Sequence, residues 1–381
     1  MNRVLPYTGI RVLEFSHMVM GPTCGLVLGD LGAEVIKIEP PEGDQTRRLL
    51  GSGAGFYPLF NRNKKSIALD LKTAAGREAV LRLIETADVI SENFKTGTME
   101  KLGLGEAQLR HQYPRLIYVS HKGFLPGPYA DRTALDEVVQ MMGGLAYMTG
   151  RQGDPLRAGS SVNDIMGGIF GAIGVMAALA EREKTGVGKT IQSSLFENNI
   201  FLVAQHMMQY LVTGKPADPM PSRISAWGIY DIFSTQDGDQ IFLGVARLST
   251  NNGRVKARDW LIPHLRERLG TLSAGELARQ FEQAGLPFAP ITAPHELLDD
   301  PHLIASGGLV PMRLPDGERA GQSVLTALLP LMLNSERLPK RMDPPTIGQH
   351  NQELLRELGY SESEIRQLHP ITTDSNPIQK N

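Results

Sequence analysis

The chain has 381 residues, enough for two domains at roughly 150 residues each and for a sizeable buried core. Its 39 basic and 41 acidic side chains leave a formal net charge of -2, without the basic excess that nucleic-acid binding favours, so no nucleic-acid partner is expected. The single cysteine, Cys24, excludes an internal disulfide and fits a reducing compartment; with no signal-type apolar region in "MNRVLPYTGIRVLEFS", a cytoplasmic protein is expected.

Residues 10–16 ("IRVLEFS") form a β-rich run, followed by the loop "HMVMGP", a helical stretch near 22–31 and a second strand at 33–39 ("AEVIKIE"). Further strands are predicted in "SIALDL", "ADVISENF" and "RLIYVSHKGF", alternating with helical patterns at about 73–86 and 97–110. Strands alternating with helices of this length argue for a parallel sheet with crossover helices, an open α/β layer.

Residues 160–180, "SSVNDIMGGIFGAIGVMAALA", hold one carboxylate, Asp164, ahead of sixteen uncharged residues that include four glycines. By themselves these residues favour a helix cap, because Asp accepts backbone N–H bonds at a helix start and suits its positive end. The apolar run falls short of the roughly 20 residues of a membrane span, so no membrane partner is expected. Its glycines suit a helix that another backbone approaches closely.

"KTIQSSLFE" then reads as a strand and "NNIFLVAQHMMQYLVTG" as a helix closed by Gly214. "YDIFSTQDGDQIFLGVA" carries a hairpin signature with an Asp-Gly turn, and helices follow near 257–269 and 273–284, which places a smaller α+β unit at about 220–310. A second hairpin-like run, "LVPMRLPDGERAGQSV", leads to two final helices, the second opening on a capping box at Ser361 to Glu364.

Three motifs mislead. "TGVGKT" (185–190) resembles the end of a phosphate-binding loop, but Glu183 stands where the first glycine belongs and the order is helix, turn, strand. "HELLD" (295–299) lacks the second histidine of a zinc helix, and no metal is expected. Glu39 ends the second strand where a ribose-binding acid could sit, yet the first turn, "SHMVMGP", has no G-x-G-x-x-G.

Taken together, "GIRVLEFSHMVMGP", "LGDLGAEVIKIEPPEGD", "NRNKKSIALDLKTAAGRE", "ADVISENFKTGTMEKLGL", "PRLIYVSHKGF", "SVNDIMGG", "KTGVGK", "AGLPFAPI" and "PPTIGQHNQELLRELGYSESEI" resemble, in order and over nearly the whole chain, the class III coenzyme A transferases. This is the CaiB/BaiF family, which includes formyl-CoA and carnitine CoA transferases and the α-methylacyl-CoA racemases. The resemblance implies an open, mostly parallel Rossmann-like sheet. The large domain would span 1–200 and be completed by about 315–381, with an α+β domain at 220–310 and linkers at about 201–219 and 311–330. It also implies an interlocked homodimer.

In the family the residue at the position of Asp164 is the catalytic nucleophile, and a carboxylate there can attack an acyl-CoA thioester. CoA is then substrate and product, with no tightly bound cofactor. By the same resemblance CoA runs along Val19 and Met20, along Leu69, Asp70, Leu71 and Lys72, past Asn93, Phe94 and Lys95, and along Thr133, Ala134, Leu135 and Asp136. Lys101 stands where the formyl-CoA enzyme has an arginine; for Lys95 and Lys101 an ordinary solvated charge is the competing reading. His17, on the first loop, could line the site or simply hydrogen-bond within the loop.

The racemase branch expects a histidine before the aspartate at 136. This chain has Leu135 there, leaving proton exchange without one of its two bases, so transfer is expected over racemisation. Arg132, Arg157 and Arg223 are candidates to pair with a substrate carboxylate. The implied reaction takes CoA from an acyl-CoA, with succinyl-CoA as a candidate donor, to a carboxylic acid such as a small dicarboxylate, or shifts it between two carboxyls of one acid. A CoA-binding scaffold without turnover is the non-enzymatic alternative. By the same resemblance the small domain is shorter than in relatives by some 20 to 30 residues around Val245 and Ala246, either through a true deletion or through a segment missing from this sequence.

Overall fold

The computed structural model describes residues 4–222, 229–245 and 251–368. Six strands, β1 (Arg11–Phe15), β2 (Glu34–Glu39), β3 (Lys64–Ala68), β4 (Val89–Glu92), β5 (Ile117–Lys122) and β6 (Thr190–Ser194), form one parallel sheet in the order β3-β2-β1-β4-β5-β6. The helices between them are α1 (Met20–Asp30), α2 (Phe56–Phe60), α3 (Ala74–Glu85), α4 (Thr98–Lys101), α5 (Glu106–Gln112), α6 (Asp136–Met142), α7 (Leu145–Thr149) and α8 (Val162–Thr185). The single helix expected over 97–110 is two, because Gly103 takes a left-handed φ of 74° between α4 and α5.

Alternation along buried strands builds two cores. Val12, Val35, Val89, Ile117 and Val119 point to one face, where Ala172, Val175 and Leu179 of α8 and Leu28 of α1 cover them. Leu13, Phe15, Ile36, Ile90 and Tyr118 point to the other, covered by Val80 and Leu83 of α3 and Leu109 of α5. With both faces buried, the strands read as apolar runs instead of alternating ones.

Helix α8 has 24 residues, so the expectation that it is too short for a membrane span is corrected; by length and composition it could cross one. Here its glycines face protein. A Cβ on Gly168 would lie 2.4 Å from the Met20 carbonyl oxygen and 2.5 Å from Thr23 Cβ, so only glycine lets α1 approach this closely. After β6, α9 (Leu195–Thr213) ends at Gly214, φ 67°, as its sequence predicts. "TGVGKT" is the turn between α8 and β6, in the order that excludes a phosphate loop.

The chain divides into two compact units, one formed by residues up to Pro216 together with those from Gly307, the other by Ala217–Ser306. The second unit pairs β7 (Ile229–Ser234) with β8 (Gln240–Val245) through the expected Asp-Gly turn, Gly238 at φ 85°, and adds the short β9 (Phe288–Pro290). Its helices are α10 (Asn251–Leu269), α11 (Ala274–Gln283) and α12 (Pro301–Ala305), around a core of Phe233, Ile241, Leu277 and Phe281. "HELLD" is a single 3-10 turn at Glu296–Asp299.

From Gly307 the chain forms the hairpin β10 (Leu309–Arg313) and β11 (Ser323–Ala327), then β12 (Met332–Leu333) and β13 (Glu336–Arg337). It returns to the sheet with α13 (Asn351–Glu357) and α14 (Glu362–Leu368), whose Leu354, Leu355 and Ile365 join the second face. Ser361 and Glu364 cap α14 reciprocally, at 2.7 and 3.4 Å.

Candidate active site

In a parallel sheet of this order the connections leave in opposite directions from β1 and β4, opening a crevice at their carboxyl ends where ligands bind. The loop from Ser16 to Met20 crosses that crevice and is fixed from three sides. His17 N–H donates to Asn93 Oδ1 at 3.0 Å while Asn93 Nδ2 donates to the His17 carbonyl at 2.8 Å. Met18 N–H donates to Thr46 Oγ1 at 2.8 Å, and Lys37 Nζ donates to the Ser16 carbonyl at 2.6 Å. These contacts hold Met18 at φ 60°, a conformation that L-residues rarely adopt and that needs such support. The His17 ring stacks on Phe94 at 5.8 Å, and burial lowers its pKa despite Asp44, so the imidazole is neutral.

Beneath this loop lies a buried cluster of charges. Lys64 Nζ donates to both oxygens of Glu14, at 2.8 and 3.0 Å, to the Pro22 carbonyl and to Asn61 Oδ1. Lys37 sits 2.9 Å from Asp44, and Arg47 2.6 Å from Glu39. Burial opposes the charges of Asp44, Glu39 and Lys37, yet the opposing partners hold Asp44 and Glu39 below the usual carboxylate range and Lys37 above the usual lysine value. For Lys64 burial wins over Glu14, and its pKa falls to about 8. Glu39 also accepts from Ser66, so the carboxylate that might have held a ribose is engaged.

Asp164 occupies the third position of α8 and does not cap it, contrary to what its own neighbourhood favours. Ser161 stands at the cap position and makes no side-chain cap bond. The cap comes from α6: Asp136 Oδ2 accepts the N–H groups of Asn163 at 2.7 Å and Asp164 at 3.0 Å, while Oδ1 accepts from Gln140. No hydrogen bond from the described residues holds the Asp164 carboxylate. Burial first, then the charges of Asp136 and Glu137, push it up to about 7. It opens on a cavity of about 250 Å³ with His17, Met20, His121, Leu135 and Glu137 among its walls. His121 is buried and its pKa is lowered to about 3 by burial and by Lys122, so it too is neutral.

His17 also lines a larger groove of about 520 Å³ over the ends of β1, β2 and β3, bounded by Phe15, Ile38, Leu69, Leu71 and Phe94. Lys72 is the lysine on its rim. Such an apolar trough beside a small cavity holding one desolvated, unbonded carboxylate can seat a long substrate with its reactive end on Asp164.

A model of CoA-transferase family III matches residues 7–247 and again 245–351. The chain belongs to CoA-transferase family III. It is an enzyme of this class, and its relatives bear that out. It is 32% identical to a succinate–glutarate CoA-transferase of Agrobacterium fabrum, over 94% of this chain and 96% of that protein. It is likewise 32% identical to a succinyl-CoA–D-citramalate CoA-transferase of Chloroflexus aurantiacus, over 95% and 96% of the two chains. A crystal structure of a CaiB/BaiF family protein from Brucella suis superimposes with a TM-score of 0.82 at 31% identity, covering 93% of this chain and all of that one. The two matched pieces of the family model meet at 245–247, beside the shortening that the sequence predicts; Val245 ends β8 and Ala246 lies outside the described residues.

Of the residues that resemblance to family III singled out, the structure brings most to these two spaces. Asp164, Val19, Met20, Asn93, Ala134, Leu135 and Asp136 line the small cavity, Leu69, Asp70, Leu71, Lys72 and Phe94 the groove, and His17 both. Three others fall elsewhere. Lys95 lines a separate cavity with Glu92 and Thr96; Lys101, the last residue of α4, and Thr133 are exposed and reach neither space. Asp136, expected along the path of CoA, has both oxygens engaged by Gln140 and the start of α8. Arg157 is 2.5 Å from Glu137, Arg132 lies over the Tyr129 ring, and Arg223 is outside the described residues.

The sequence reading missed His121, Lys122, Glu137 and Ser161 in the small cavity and Pro40, Pro41 and Glu42 in the groove. One signal could have found several of them: in a parallel sheet the residues at and just past each strand's carboxyl end face the ligand, and "HK" closes β5 while "PPE" follows β2.

Proposed function

We propose that this family III enzyme moves CoA from an acyl-CoA, with succinyl-CoA the favoured donor, to a small dicarboxylic acid, and that Asp164 is the covalent relay. The observation that carries the reading is the state of the Asp164 carboxylate: desolvated, without a hydrogen bond from the described residues, and facing a cavity next to a groove of about 520 Å³. A carboxylate in that state is a stronger nucleophile than a solvated one.

An Asp164 oxygen adds to the thioester carbonyl carbon, the carbon–sulfur bond breaks, and CoA leaves as thiolate from a mixed anhydride. The thiolate then attacks the Asp164 carbonyl carbon, the anhydride carbon–oxygen bond breaks, and the donor acid departs as carboxylate, leaving CoA on Asp164 as a thioester. The acceptor carboxylate repeats both steps in reverse and regenerates free Asp164. No proton is transferred, which suits a site whose two histidines, His17 and His121, are neutral.

The groove would take the length of CoA, with Leu69, Leu71 and Phe94 against its apolar parts and Lys72 for a phosphate. Leu135 lines the cavity with an aliphatic side chain where a racemase needs a base, which favours transfer. The relatives named for glutarate and D-citramalate support a dicarboxylate acceptor. An intramolecular shift within one diacid uses the same relay.

Incubating the protein with succinyl-CoA and weighing it intact should show the mass of CoA added on Asp164, and Asp164→Ala should show none. Labelled CoA should then pass to glutarate or citramalate well ahead of monocarboxylic acids of equal length. A protein that binds succinyl-CoA but never becomes labelled would be a CoA-binding scaffold.

We further propose that the working form is the interlocked homodimer of the family. Helices α8 and α9 expose Ile169, Phe170, Ile173, Phe201, Leu211 and Val212, an apolar surface that a second copy would cover. Sedimentation at micromolar concentration should give twice the chain mass.

A further inference from the structure

We propose that Asp136 is the positioning residue of the nucleophile: through Asp136, helix α6 and not α8's own cap holds Asp164 in line with the cavity. This rests on the reading of Asp164 as the covalent relay. The first turn of any helix leaves backbone N–H groups without partners, and a side chain at the cap position usually takes them. In α8 Ser161 does not, and the two groups nearest the nucleophile go to a residue 28 positions earlier than Asp164, at 2.7 and 3.0 Å. Asp136 is itself fixed. It is 4% exposed, its other oxygen accepts from Gln140 one turn along α6, and Gln140 Oε1 accepts the Ala158 N–H at 2.8 Å. A chain of bonds thus runs from the loop before α8 through Gln140 and Asp136 to the backbone of Asp164.

The arrangement has a cost that a plain structural cap would avoid. A serine at position 161 could take an N–H without placing a second carboxylate next to the nucleophile. Here α6 presents Asp136 and Glu137 to Asp164, with Glu137 paired to Arg157 on its outer side. The loop after β1 presents His17 and the end of β5 presents His121 and Lys122; α1 and α9 add Met20 and Leu195, which carry no charge. Asp136 therefore does two things at once. It orients Asp164, and it raises the proton affinity of the carboxylate, which strengthens the nucleophile once ionised.

Two variants separate these effects from mere support of the fold. Asp136→Asn keeps an oxygen for the N–H groups and removes the charge; Gln140→Ala keeps the charge and frees the carboxylate to turn. The readout is the rate of CoA labelling of Asp164 by succinyl-CoA across pH 5 to 9. Asp136→Asn should move the acid limb down by about half a pH unit or more and lower the plateau by roughly tenfold, with KM for succinyl-CoA changed less than about threefold. Gln140→Ala should lower the plateau by a few-fold and leave the limb in place. An acid limb unmoved by Asp136→Asn overturns the electrostatic role, and plateaus unmoved in both variants overturn the positioning role. If Asp136→Asn does not fold, Asp136→Ser takes its place for the acid limb, and the plateaus of the variants that fold decide the positioning role. If the wild type itself takes no CoA onto Asp164, the reading of the relay has failed, an outcome distinct from either of these.

Discussion

Two regions of this molecule withdraw carboxylates from water, one fully and one with Asp164 half-buried, and they treat them in opposite ways. Under the switch-point loop, Glu14, Glu39 and Asp44 each meet a cation within 2.9 Å, and none is more than 6% exposed. Around the start of α8, Asp164 faces the charges of Asp136 and Glu137 and forms no ion pair among the described residues, and its carboxyl is pushed up to about 7. Removing one partner from a buried pair leaves a charge the interior cannot solvate, so the first region is a fastening. The second leaves its carboxylate unsatisfied, which fits the nucleophile proposed above, because a carboxylate already stabilised by an ion pair would have little reason to attack. Burial alone therefore does not set Asp164 apart from the paired acids; the sign of its neighbours does.

The largest effect that could break this contrast is on activity. Asp164→Ala should lower CoA transfer at least about ten-thousandfold while leaving the folded protein at least as stable as before. A steady-state assay beside a urea titration reads both, and residual transfer within a hundredfold of wild type would remove Asp164 from the reaction. Next in size is the mirror experiment. Lys64→Met strands Glu14 with only Lys37, 3.7 Å away, and deletes the bond to the Pro22 carbonyl at the start of α1. Stability should fall by about 3–5 kcal/mol, seen as a lower urea midpoint with an unchanged slope. If Lys64→Met were neutral, the lower cluster would not be the fastening it looks like.

How much of this could be read from the residues follows from the range of the forces involved. The six strands were legible because each is a β-rich run between helical patterns, and α9 because Gly214 closes it. The break at Gly103 was not, since only its left-handed φ distinguishes it from a tolerated helical glycine. Nothing in the sequence around Lys37 or Lys64 shows that both are fully buried, because their partners, Asp44 and Glu14, come from other elements. Asp164 illustrates the same limit. Its position before an apolar run pointed to a cap, and resemblance pointed to a nucleophile. Only the fold, by delivering Asp136 to the N–H groups of Asn163 and Asp164, shows that the capping is done by another residue. The residues that resemblance singled out at strand ends line the two spaces, whereas Lys101 and Thr133 lie on exposed surface and line neither.

The smallest effect sharpens the contrast most, because it is measured on stability alone. Asp164 holds its proton to about pH 7 in the folded chain, whereas an ordinary aspartate in the unfolded chain releases it near 3.8. Between those values the folded state binds more protons than the unfolded one, so this group's contribution to stability falls as pH rises from about 4 to 7 and stays low above. Asp164→Asn removes the titration and the repulsion from Asp136 and Glu137 together. Its Tm should exceed the wild type by a few degrees at pH 8, by less at pH 5, and by almost nothing below pH 4. For the paired acids the slope reverses. Asp44 lies below its ordinary value, so its contribution is present at neutral pH and is lost as the solution is acidified through the folded pKa, and Asp44→Asn should cost stability at pH 7 and little in strong acid. Calorimetry of the two variants against pH should give curves of opposite slope; parallel curves would mean that the two regions hold their carboxylates alike, and that Asp164 is not kept unsatisfied for reaction.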